Sequence, residues 1–154
     1  WNMKKIKRYA GYINLKPING VLYPSSIQNI LMKNYVTDNL RGKFYLSPTE
    51  VLQAQNPITL NTLISDEVKV DGIVMLSTFS LPLENKKRKI IYKRALRHKK
   101  ELHFILDELL FNKIEMIENI ENYLIFRNKF FTQTKNKTNN FEKYLAKSSK
   151  VSFV

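Results

Sequence analysis

The sequence predicts an α/β fold: a small doubly wound parallel sheet of about four strands with helices on both faces. Two observations carry that prediction. Ile73, Val74, Met75 and Leu76 are apolar on consecutive positions, which marks a strand buried on both faces. Short apolar runs also alternate with helix-period segments along most of the chain, in the order β-α-β-α-β-α-β-α. Such alternation implies parallel strands joined by right-handed crossovers.

The elements follow in order. Residues 8–13 (RYAGYI) form a first strand. Pro17, Asn19-Gly20 and Pro24 punctuate a loop over 14–24. Ser25 or Ser26 is an N-cap for a helix reaching about residue 39, with Ile27, Ile30, Leu31, Tyr35 and Val36 at helical spacing. Arg41-Gly42 closes that helix, and residues 43–47 form a second strand. A turn over 47–50 leads to a short amphipathic helix over 59–68, with Leu60, Leu63, Ile64 and Val68 as its apolar face. Asp71-Gly72 leads into the third strand, 72–76, and Pro82 stops its extension. Glu84 suits the first turn of the next helix, carried by Ile90, Ile91, Arg94, Ala95 and Leu96, while Lys99 and Lys100 suit its end. Residues 102–106 (LHFIL) form a fourth strand, and a longer helix spans about 113–131. The expected domain is therefore 8–131. The basic, polar tail 132–154 is expected to be a short helix or disordered.

Composition bounds the function. With 44% hydrophobic residues in 154, the chain can bury a core as a single domain. No apolar run approaches the roughly 18–20 residues that span a bilayer, so no membrane span is expected. No secretory signal is visible, and cytoplasmic residence is the default expectation. Trp1 is not an initiator methionine, so the chain reads as a fragment or processed form, with Met3 a candidate start. The absence of cysteine excludes disulfides, thiolate catalysis and cysteine-ligated metals. With His98 and His103 the only histidines, no metal site is expected. The four glycines form neither a P-loop nor a GxGxxG fingerprint, so no cofactor is expected.

Basic residues outnumber acidic ones 26 to 13, a formal charge of +13. An electrostatic footprint for nucleic acid, an anionic membrane surface or a phosphorylated substrate competes with simple compositional drift toward Lys, Asn and Ile. Lys86, Lys87, Arg88, Lys89, Lys93, Arg97 and Lys100 form the densest basic surface, with Arg94 turned inward beside Ile90 and Ile91. The run lacks the interleaved aromatics of a single-strand stacking platform.

In open α/β sheets, ligands bind outside the carboxyl ends of the strands. Those ends supply Asn14 and Lys16, then Ser47 and Glu50, then Ser77, Thr78 and Ser80, then Asp107 and Glu108. The functional reading is a polar pocket in which Lys16 holds an anionic group. Asn14 and the serines bind sugar hydroxyls, and Asp107 or Glu108 acts as base or hydroxyl acceptor. The competing reading is that strands end in polar loops anyway. Gln28 and Asn29 face either the same crevice or solvent. His103, in an apolar strand, is expected to be a satisfied core histidine, and His98 to be exposed.

Three segments carry a family resemblance: GYINLKP with YPSSIQNILMKNY (11–17 and 23–35), VDGIVMLSTFSLP (70–82), and RKIIYKRAL with ELHFILDEL (88–96 and 101–109). Together they resemble the sporadic carbohydrate cluster proteins, small bacterial proteins encoded among surface-polysaccharide genes. The resemblance covers roughly residues 9–125. It implies a role in lipopolysaccharide or O-antigen-type biosynthesis, with a sugar or sugar nucleotide as ligand, but no assigned reaction. Whether the chain is an enzyme stays open. A more distant resemblance is to the catalytic domain of serine recombinases. That likeness implies a resolvase-like fold and nucleic acid as an alternative partner. Tyr12-Ile13-Asn14-Leu15-Lys16 lacks that family's nucleophilic serine, and Thr78–Pro82 lacks its arginine motif. A third expectation is an oligomeric scaffold of a sugar-pathway complex, with the 113–131 helix at the interface of a homo-oligomer.

Overall fold

The computed structural model describes residues 3–50 and 56–130. Its elements are β1 (Arg8–Gly11), α1 (Ser25–Asn34), β2 (Lys43–Tyr45), α2 (Ile58–Ile64), β3 (Gly72–Met75), α3 (Asn85–Arg97), β4 (Glu101–Phe104) and β5 (Leu109–Phe111). A fourth helix, α4, spans 116–130. The described residues through Glu118 form one compact unit, and those from Asn119 onward belong to a second.

The sheet order is β2-β1-β3-β4-β5, with β1 to β4 parallel and β5 antiparallel to β4. The α/β expectation holds, with five strands in place of four. The chain steps one way from β1 to β2 and the other way thereafter. Right-handed crossovers therefore place α1 on one face and α2 and α3 on the other. The order reverses between β1 and β3, which makes their carboxyl ends the topological switch point.

Alternation along each strand builds two cores. Tyr9, Ile13, Met32, Val36, Val74 and Leu76 form the α1-side cluster. On the other face, Tyr92 of α3 packs on Phe111 of β5, ring centroids 5.0 Å apart. Tyr9 crosses the sheet surface because its neighbours are glycines. A Cβ at Gly72 would sit 2.9 Å from one edge of its ring, and a Cβ at Gly42 would sit 2.7 Å from the other.

The structure corrects several expectations. Helix α1 buries Gln28 and Met32, while Ile27 and Ile30 stand 43% and 55% exposed. It ends in a π turn, Tyr35–Asn39, and Arg41 then takes a left-handed φ of 49°. Ile90 is exposed, and the buried face of α3 is Ile91, Tyr92 and Ala95. Helix α3 closes in a Schellman motif: Lys99 takes φ 53°, and the amides of Lys99 and Lys100 donate to Leu96 O and Ala95 O. The tail expected over 132–154 lies outside the described residues.

Candidate functional site

The carboxyl end of the sheet gathers most of the candidates, in three small networks. At the switch point the Asn14 amide nitrogen donates to Ser80 O at 3.4 Å, and Asn14 Oδ1 accepts the Lys16 backbone amide at 2.9 Å. Gln28 Nε2 donates to Asn14 O at 3.1 Å and Tyr23 O at 2.9 Å. Gln28 is 1% exposed, yet its Oε1 has no partner among the described residues, nor does Asn29 Oδ1. Lys16 Nζ likewise has no hydrogen-bond or ion-pair partner among them. Burial pushes the Lys16 ammonium below its ordinary value, and the charge of Glu50 opposes that shift.

The second network belongs to Asp107, in the turn between β4 and β5. Its carboxylate accepts from Ser77 Oγ at 2.9 and 3.0 Å. It also accepts from the Thr78 backbone amide and hydroxyl, each at 2.6 Å. Ser77 Oγ in turn accepts from Phe79 N at 3.2 Å, capping the short 3₁₀ turn Thr78–Ser80. Ser77, Thr78 and Ser80 are all buried. Asp107 therefore pins the β3 exit loop to the β4–β5 turn. Its neighbour Glu108 stands exposed, with φ 52°.

The third network centres on Glu50. Its carboxylate accepts from the Tyr12 hydroxyl at 3.0 Å and from the amides of Thr59 and Leu60 at 3.1 and 3.2 Å. It thus satisfies the open N-terminus of α2. Burial first, and then the Glu50 charge, push the Tyr12 phenol up. Ser47 Oγ donates to Gly11 O.

His103 joins none of these networks. Its Nε2 lies 2.9 Å from Glu101 Oε2, and its Nδ1 lies 3.2 Å from the Tyr35 hydroxyl. An imidazole protonated on Nε2 satisfies both contacts. Tyr9 OH donates to the same carboxylate oxygen at 3.2 Å, and Lys7 pairs with Oε1. The hydrogen bond from His103, and then Lys7, hold Glu101 down at about 2. His103 is thus a satisfied core histidine, and no Ser-His-Asp arrangement forms among the described residues. His98 is partly covered instead of exposed, with Nδ1 3.0 Å from Asp66.

The basic run on α3 also divides. Lys100 is buried, not on the surface: its Nζ donates to the carbonyls of Leu63, Ser65 and Val68, the first two at the C-terminus of α2. Arg88 donates to Pro82 O and Leu83 O, Lys87 pairs with Glu84, and Arg94 reaches Asn61. Lys86, Lys89, Lys93 and Arg97 remain exposed. At i, i+3, i+7 and i+11 they share one face of the helix.

Among the described residues, no group of three or more acidic or histidine side chains converges as a metal site. No described helix is long and apolar enough to cross a membrane. Sequence reasoning missed the Tyr9–Glu101–His103–Tyr35 network. The available signal was Glu101-x-His103, two polar residues on one face of a strand. Neither protein-family models nor curated proteins give a match to this chain.

Proposed function

We propose that this chain serves bacterial surface-carbohydrate biosynthesis by holding an anionic, hydroxyl-rich ligand, a sugar or sugar nucleotide, at the β1/β3 switch point. The observation that carries this reading is Lys16: a half-buried ammonium with no ion-pair partner among the described residues, in the loop that leaves β1. Partial burial strips water from this unpaired cation at a cost, and an anionic ligand relieves that cost. Gln28 Oε1 supports the same reading, because a buried acceptor without a donor suits a sugar hydroxyl. The carbohydrate context comes from the family resemblance. Ser77, Thr78 and Asp107 serve as a rigid wall in this reading and not as reacting groups.

The test is calorimetry of the full chain against sugar acids and nucleotide sugars. Binding is expected with at least one class, weakened about tenfold or more in Lys16→Ala. Silence across the panel, or binding indifferent to Lys16, rejects the reading.

A second reading has its own observation. The four-cation stripe on α3 suits the phosphate backbone of nucleic acid. Four phosphate contacts imply a log–log salt slope of roughly −3 to −4 for duplex binding. A flat salt response removes it.

A further inference from the structure

The amino end of the sheet, opposite the switch point, holds a cleft of about 710 Å³. It is lined by Lys4, Lys5 and Lys7 before β1, by Leu40 and Arg41 after the π turn, and by Tyr9. Its volume lies in the range of small-molecule sites, about 300–1,000 Å³. Four of its lining residues are cationic and none is acidic.

The nearby carboxylate does not neutralise the cleft. Glu101 is engaged by Lys7, Tyr9 and His103. Lys4, Lys5 and Arg41 have no ion-pair partner among the described residues. Three cations elsewhere serve the fold itself. Lys100, Arg88 and Arg94 all donate to backbone carbonyls. The cations of the cleft satisfy no such group. They also converge on a concavity, unlike the linear stripe on α3, and so match a compact anion better than a long backbone.

We propose that this cleft binds a small ligand of the diphosphate class, its phosphate oxygens held by Lys4, Lys5 and Arg41. Arg41 supplies the planar fork suited to phosphate, and the lysines supply point charges. Leu40 and Tyr9 give the remainder of the ligand an apolar boundary. The site is independent of the one at the switch point.

Calorimetry of the full chain tests this with inorganic pyrophosphate, a nucleoside diphosphate and a short DNA duplex. The variants are Lys4→Ala/Lys5→Ala/Arg41→Gly combined, and Lys16→Ala. Pyrophosphate and the nucleoside diphosphate are expected to fill one site of equal affinity in the parent chain and in Lys16→Ala; any additional site that Lys16→Ala removes is the one at the switch point. The combined variant is expected to bind about tenfold more weakly or worse, as loss of close charge contacts implies, with its ligand-free melting temperature little changed. Absence of binding by both diphosphates overturns the proposal, as does equal binding by the combined variant. Loss in Lys16→Ala instead moves the site to the other end of the sheet. Binding of the duplex alone assigns the charge to nucleic acid and rejects the cleft as a small-molecule site.

Discussion

The two ends of the sheet carry polar side chains of similar chemistry but use them differently. At the carboxyl end, Asp107 accepts from the Ser77 hydroxyl and from the Thr78 amide and hydroxyl, Glu50 accepts from Tyr12 and from two amides at the start of α2, and Lys16 and Gln28 Oε1 are the exceptions without partners among the described residues. At the amino end, Glu101 is similarly engaged, but Lys4, Lys5 and Arg41 line an open cleft without partners among the described residues. The difference teaches that residue type at a strand end does not make a site. A group is available for a ligand only where the fold has not already satisfied it.

The sharpest way to break this contrast is at Asp107. Asp107→Ala leaves the buried Ser77 hydroxyl and the Thr78 amide without their acceptor. The expected loss is about 3–5 kcal/mol of unfolding free energy, from several buried neutral donors that each cost about 1–3 kcal/mol when left unsatisfied. Urea denaturation measures it. A loss under about 1 kcal/mol would mean that the Asp107 contacts do not hold the β3 exit loop.

Glu101 offers the next effect, through pH. Its carboxyl is lowered from 4.5 to about 2 in the folded chain. A depressed carboxylate stabilises the fold fully above its unfolded value, and that stability is lost as pH falls through the folded value. The window is therefore about pH 4.5 down to about pH 2, and the contribution about 3 kcal/mol at 1.36 kcal/mol per unit. Glu101→Gln should flatten the stability profile across that window in acid denaturation. A variant that melts in parallel with the parent throughout would place the acid sensitivity elsewhere.

Gly72→Ala comes third. The new Cβ would lie 2.9 Å from the Tyr9 ring and 3.1 Å from the Glu101 carbonyl oxygen. The ring cannot yield sideways, because Gly42 brackets its other edge. Overpacking of this kind costs about 1–3 kcal/mol. Solvent denaturation measures the loss, and the hydrogen bond from Tyr9 to Glu101 should loosen with it. A neutral result would show that Tyr9 is not locked across β3.

How much of this was legible in the sequence follows from the same residues. The consecutive apolar run Ile73–Leu76 announced the central strand, and the alternation of elements announced the parallel sheet. Leu109–Phe111 was not legible as β5, because three residues are too few to show a period. Pairing with β4 across a tight turn makes it a strand. The strand-end candidates do lie at the carboxyl end of the sheet. Their mutual long-range hydrogen bonds depend on loop paths between residues 14 to 66 positions apart, which no local pattern encodes. The Tyr9–Glu101 contact depends on register. Tyr9 pairs with Gly72, and Gly72 with Glu101. Only the missing side chain in the middle lets the outer two meet.

The smallest effect is the most discriminating between the two ends. Arg41 holds a left-handed φ of 49°, a conformation that costs a non-glycine residue about 1–2 kcal/mol. Arg41→Gly relieves that strain but adds conformational freedom to the unfolded chain, worth about 0.4–1 kcal/mol in the other direction. It also removes one of four like charges around the cleft, a gain that shrinks as salt rises. The sum is a stability equal to the parent's or up to about 1.5 kcal/mol above it, with the benefit largest at low ionic strength. Thermal unfolding at two salt concentrations reads both features. A destabilisation beyond about 1 kcal/mol would mean that Arg41 is engaged by the fold, as Lys100 is, and the contrast between the two ends would collapse.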